Sequence, residues 1–169
     1  MLPKALKNFN LFIDGASFLG VISEVTLPKL TRKVEAYRGA GMNGEAEIDL
    51  GQEAIELSYK AGGVLTEVLK QYGATEADAV QHRWVGAYQD DSAGKYTKVE
   101  VVTRGRHKEI DQGSAKAGEI GEQSMTVTCT YYKLSVDNKD VIEIDMLAGG
   151  VFIVDGVDRN AELRDILGI

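Results

Sequence analysis

SMTVTCTYYKLSV, Ser124–Val136, is the stretch whose reading decides the fold. Along it Met125, Val127, Cys129 and Tyr131 alternate with Thr126, Thr128, Thr130 and Tyr132. Successive side chains of a strand point to opposite faces, so a period of two predicts a long strand with one apolar and one more polar face. Asp137-Asn138-Lys139-Asp140 then carries turn chemistry. Beyond it Ile142, Ile144 and Met146 oppose Val141, Glu143 and Asp145, which reads as the second arm of a hairpin.

The same logic extends in both directions. Leu11-Phe12-Ile13 runs into Asp14-Gly15, a hairpin-turn dipeptide, and apolar residues resume at Phe18. Arg83–Gln89 and Lys98–Thr103 are β-rich runs separated by the turn Asp90-Asp91-Ser92-Ala93-Gly94. Helical spacing is clear only over about 63–72. There Val64, Leu65, Val68, Leu69 and Tyr72 share a face, and Gly73 suits the left-handed residue that ends a helix. A short helix over Arg159–Leu167 is expected to close the chain. The fold class is therefore mainly β, a barrel or sandwich with one flanking helix and a short C-terminal helix.

At 169 residues, with 44% apolar and 27% charged residues, the chain can bury a full core as one domain spanning 1–169. It needs neither disulfide nor metal to fold. The two prolines, Pro3 and Pro28, mark no linker. Met1–Phe12 has no apolar core of a secretory leader, and no stretch is apolar enough for a membrane-spanning segment. With 26 acidic against 19 basic residues, a net charge of −7 argues against tight phosphate-driven binding of nucleic acid. The single cysteine, Cys129, points to a reducing compartment.

One region departs from an ordinary monomer. Tyr37-Arg38-Gly39-Ala40-Gly41-Met42-Asn43-Gly44 is too glycine-rich for a helix or central strand. It is expected to open a long irregular stretch, 37–60, of the kind that is usually functional or partner-bound. Charge is segregated around it. Lys29, Arg32, Lys33 and Arg38 precede it, while Glu45, Glu47, Asp49, Glu53 and Glu56 follow with no base among them. Arg104, Arg106 and Lys108 form a second basic cluster.

The residues that could carry chemistry do not assemble into a constellation. His107 lies among Arg104, Arg106 and Lys108, which disfavours a cation, and His82 has no cysteine or acidic partner at ligand spacing. Both are expected at the surface. Cys129 sits on the apolar side of its strand and reads as a small core hydrophobe. Gly39–Gly44 lacks the Lys-Ser/Thr of a phosphate loop and is followed by acids. No regular oxygen-ligand loop surrounds Asp49, Glu53 and Glu56. No catalytic residue, cofactor or metal is expected. A sugar-binding β-sandwich is poorly supplied, since aromatics make up 7% and Trp84 is the sole tryptophan.

Val25-Thr26-Leu27-Pro28-Lys29-Leu30 followed by Tyr37-Arg38-Gly39-Ala40-Gly41-Met42 resembles the major tail tube proteins of contractile-tailed phages and of R-type tail-like bacteriocins. The likeness continues through Val101–Arg106 with Lys108–Asp111, Cys129–Leu134, Glu143–Asp145 and Val154–Asn160. It covers nearly the whole chain in one order. The resemblance implies hexameric rings whose inward strands join into one barrel around a lumen. It also implies rings stacked head to tail within a tail sheath, baseplate and tail terminator proteins at the tube's ends, and a tape measure protein or DNA in the lumen without tight binding. It places the protein in a virion tail or tail-like particle, made in the bacterial cytoplasm. Phage and bacteriocin both fit, as does the related tube of type VI secretion.

Within that picture two surfaces are expected. Arg32, Lys33 and Arg38 are candidates to meet Glu45, Glu47 and Asp49 of another subunit, with Tyr37 and Met42 as apolar contacts; two solvated faces are the other reading. Thr126, Thr128 and Thr130 are candidates for the lumen, or for an outward solvent-facing side.

Overall fold

A computed structural model of the chain describes residues 1–169. Its strands are β1 (Ala5–Ile13), β2 (Ala16–Ser17), β3 (Ile22–Thr26), β4 (Arg32–Tyr37), β5 (Ala46–Gln52) and β6 (Ile55–Gly62). After the helix α1 (Thr66–Leu69) come β7 (Val80–Asp90), β8 (Lys95–Asp111), β9 (Glu122–Val136), β10 (Lys139–Asp145), β11 (Val151–Val154) and β12 (Val157–Asp158). The helix α2 (Ala161–Leu167) follows.

Turn chemistry sets the register of the meander. Asp14-Gly15, Asp137-Asn138 and Asp155-Gly156 each put two successive residues at positive φ between paired strands. That geometry matches the right-handed twist of a hairpin, and Asn, Asp and Gly tolerate it.

One sheet runs β12-β11-β10-β9-β8-β7-β1-β2, and β9 forks it. The first half of β9 pairs with β6, from Ile55↔Cys129 to Gly62↔Glu122, and β6 pairs in turn with β3. The second half pairs with β10, from Tyr131↔Asp145 to Val136↔Lys139. Bulges where β9 meets β8 let these long strands bend. Gly105 sits at one of them, where a Cβ would lie 2.0 Å from the carbonyl oxygen of Thr128.

Inward residues alternate as the pattern of β9 predicts. Leu11 and Ile13 of β1 meet Leu57 and Tyr59 of β6, Trp84 of β7, and Met125, Val127 and Cys129 of β9 in one core. Leu65 and Val68 close its end. Hydrogen bonding between strands does not close the sheet within one chain, so a barrel is not complete in the monomer.

Two expectations fail. The helix over 63–72 is reduced to Thr66–Leu69, and Val64 and Tyr72 are exposed. Gly63 and Gly73, both at positive φ, bound the span, but no side chain caps the helix start, and so short a segment propagates poorly once its costly nucleus is formed. The irregular stretch 37–60 is mostly strand: only the tip 38–45 and the link 53–54 are not. The closing helix, expected over Arg159–Leu167, begins at Ala161.

Candidate assembly surfaces

β4 and β5 form a two-stranded sheet of their own, unpaired with the main sheet. Their register, Val34↔Asp49, Glu35↔Ile48, Ala36↔Glu47 and Tyr37↔Ala46, makes an arm with both faces in water. Val34, Tyr37, Ile48 and Leu50 are exposed large apolar residues. A lone hairpin is marginal in water, so this arm needs a cover or an anchor.

The anchor lies at its base. Arg32 forks Asp49, with Nε donating to Oδ2 at 2.8 Å and Nη2 to Oδ1 at 3.0 Å, and its guanidinium lies 5.1 Å from the Phe152 ring centroid. That hydrogen bonding holds the Asp49 carboxyl below its ordinary pKa. Arg32 and Asp49 thus pair inside one chain. Lys33, Arg38, Glu45 and Glu47 make no ion pair with their own chain and remain available to another. At the tip the Met42 sulfur accepts the Gly39 N–H at 3.0 Å.

The polar side of β9 is the second surface. Thr126 faces Ser58 and Thr128 faces Glu56 across the β6 pairing, on the side opposite buried Val127 and Cys129. Thr130 differs. It falls at the bulge just beyond the pairing of β9 with the start of β6, and its hydroxyl is enclosed without a hydrogen-bond partner. Around the two open threonines Lys60 lies 3.9 Å from Glu24 and 3.7 Å from Glu122, and Lys108 meets Glu56 at 2.7 Å. The Glu56 carboxylate raises the pKa of Lys108. Register puts Arg106, Glu109 and Asp111 on the same face, and acids still outnumber bases there.

Two strand edges flank this face. β3 has a partner only in β6. β8 loses β7 beyond Val80↔Gly105, which leaves one edge of Arg106–Asp111 unpaired.

The histidines are not at the surface. His82 is 0% exposed and His107 5%, because both fall on the inward phase of β7 and β8. Tyr59 Oη and His107 Nε2 share a hydrogen bond of 2.7 Å, and the two imidazoles stand 5.5 Å apart, edge to face. Neither nitrogen of His82 has a partner. Burial, and then the neighbouring His107, push the His82 pKa down to about 3; burial also lowers that of His107, against the field of Asp14. Strand phase was the signal: His82 alternates with Val80 and Trp84, and His107 with Gly105, Thr103 and Val101. Cys129 is buried beside them, and desolvation pushes its thiol up to about 11, which suits a core residue and not a nucleophile. No group of three or more acidic, histidine or cysteine side chains is placed to hold a metal ion.

An arm held only at its base, open strand edges and a core with no reactive group describe a subunit built for contact with other chains. Residues 3–168 match the phage tail tube protein FII family. The chain belongs to that family. It is 47% identical over 171 residues to the tail tube protein of Escherichia phage P2, covering 99% of each. It is 44% identical over 148 residues to the major tail tube protein of Serratia phage KSP20, covering 86% of this chain and 85% of that one. The tail tube fold extends to distant structures. One is the sheath/tube terminator of an extracellular contractile injection system, with a TM-score of 0.61 at 10% identity over 80% of this chain and 98% of that one. Another is the tube terminating cap of the anti-feeding prophage, with a TM-score of 0.60 at 11% identity over 80% and 92%. The tail tube family is one of structural proteins of the virion tail.

Proposed function

We propose that this tail tube protein closes into hexameric rings that stack head to tail as the inner tube of a contractile tail, with a structural and no catalytic role. The observation that carries this reading is the pair of unpaired edges on β3 and on Arg106–Asp111 of β8. They bound one antiparallel run, β3-β6-β9-β8, so β3 of one subunit beside β8 of the next continues the antiparallel alternation. Closure around an axis removes the exposed edges that would otherwise invite uncontrolled pairing. Thr126 and Thr128 then face the lumen, in a ring where acids exceed bases and DNA passes without adhering.

The arm supplies the stacking contact. The arm presents Arg38 and Glu45 at its tip, Glu47 behind them and Lys33 near its base, a surface suited to a different surface on the next ring, and such heterologous contacts propagate. A tail sheath around the tube, baseplate and terminator proteins at its ends, and a tape measure protein in its lumen complete the assembly, in a virion tail built in the host cytoplasm. Replacing Arg38 by Glu tests the stacking. Negative-stain microscopy of Arg38→Glu should show free rings and no tubes; tubes of normal length would refute the role of the arm.

A further inference from the structure

α2 is attached to its own subunit by its polar side. Arg164 pairs with Asp158, and the Asn160 side chain donates to the Gly150 carbonyl oxygen at 2.8 Å. Those contacts turn the apolar residues outward: no residue of α2 is buried, and Ile166 is 75% exposed, with Leu163, Leu167 and Ile169 also in water. An amphipathic helix normally buries that stripe. Here the chain does the reverse, and Glu162 and Asp165 add negative charge beside it.

A matching surface lies at the other end of the sheet. The outward side chains of β1, β7 and β8 leave a groove of about 490 Å³ with Phe12, Val85 and Ala87 as its floor and Tyr96 on its wall. Arg83 lies 5.0 Å from the Phe12 ring centroid, Lys98 lines the groove, and Lys4 reaches its rim by donating to Thr97 at 2.8 Å. Glu100 is shared by Arg83 and Lys98 and leaves the groove net positive, on a chain whose total charge is −7.

We infer that the groove on β1, β7 and β8 receives the apolar face of α2 from a second copy of this chain. Charge is complementary, since an acidic helix meets a basic groove. Topology favours the same conclusion. α2 follows β12 at one end of the strand order and the groove lies towards β1 at the other, so β11, β10 and β9 stand between one subunit's donor and its own groove in that order. Contacts of this kind run from each copy to the next and close into a ring. The inference rests on the ring reading and adds to it a second seam between neighbouring subunits, outside the strand pairing that lines the lumen.

Cross-linking and assembly test it together. In Ala87→Cys/Ile166→Cys, mild oxidation of assembled protein should give a ladder of disulfide-linked oligomers on denaturing gels, and each single variant should stay monomeric; Cys129 is buried and does not interfere. Ile166→Glu/Leu167→Glu alters residues that are mostly in water in the subunit, so its melting temperature should hold while ring yield falls at least tenfold. Rings without a ladder, or rings at normal yield from the double glutamate variant, overturn this seam and leave ring closure standing. Wild-type protein that forms no ring at all overturns both.

Discussion

Acidification from pH 7 to pH 5 should weaken the unassembled subunit through His82. Its ring is fully buried, neither nitrogen has a partner, and the faces around it are Tyr59, His107 and the core. The folded state therefore holds it neutral, with a pKa near 3, while the unfolded chain protonates it near 6.5. Between those values the unfolded state binds more protons, so stability is complete above about pH 6.5 and falls as the pH drops. By pH 5 the loss is about 1.5 pH units, or roughly 2 kcal/mol from this one residue. For a domain of this size that is a melting temperature lower by about 4–8 °C. His107 is shifted in the same direction and adds to the fall. The carboxylates of Asp49, Glu100, Asp140 and Asp158 have lowered values, so they stay ionised through this window and destabilise only at lower pH. Differential scanning calorimetry at pH 7, 6 and 5 on wild type and His82→Leu isolates the effect. The variant loses no hydrogen bond, so it should match or exceed wild type at pH 7 and keep only the share of the slope due to His107. A wild-type melting temperature that is flat across this range refutes the reasoning, as does an equal fall in His82→Leu.

Other consequences follow from single contacts. Gly105→Ala forces a methyl group against the Thr128 carbonyl, and the backbone must shift between β8 and β9; denaturant titration should show a loss of about 1–3 kcal/mol or more. The amides of Ala40–Gly44 at the arm's tip should exchange hydrogen quickly in free subunits and be protected in tubes, and equal protection in both forms contradicts a stacking role. In Thr128→Cys, small thiol reagents should label intact tubes while reagents too bulky for the lumen label only dissociated subunits. Labelling of intact tubes by both places β9 on an outer surface.

The parts of the fold that could be read from sequence are those where one face of a strand is buried. β9 alternates because Val127 and Cys129 enter the core while Thr126 and Thr128 do not, and positive φ at Asp14-Gly15 and Asp137-Asn138 turns the hairpins that their residue types predict. β5 failed for the same physical reason. Glu47 and Asp49 alternate with Ile48 and Leu50, yet neither face is buried within the chain, and the pattern was dominated by the glycines before it and the acids around it. The burial of the histidines is not legible from their neighbours in sequence, since Arg106 lies on the outward side and Lys108 at a bulge; strand phase alone turns His82 and His107 inward. α2 shows the complementary limit: a short closing helix is legible in the sequence, but not that its polar residues, rather than its apolar ones, hold it to the subunit. Patterns of this kind report where a side chain is buried in the assembled particle, which for a subunit like this one need not be its own core. The surfaces that a single chain leaves unexplained, the arm, the two strand edges and the outward face of α2, are therefore where its contacts with other copies should be sought first.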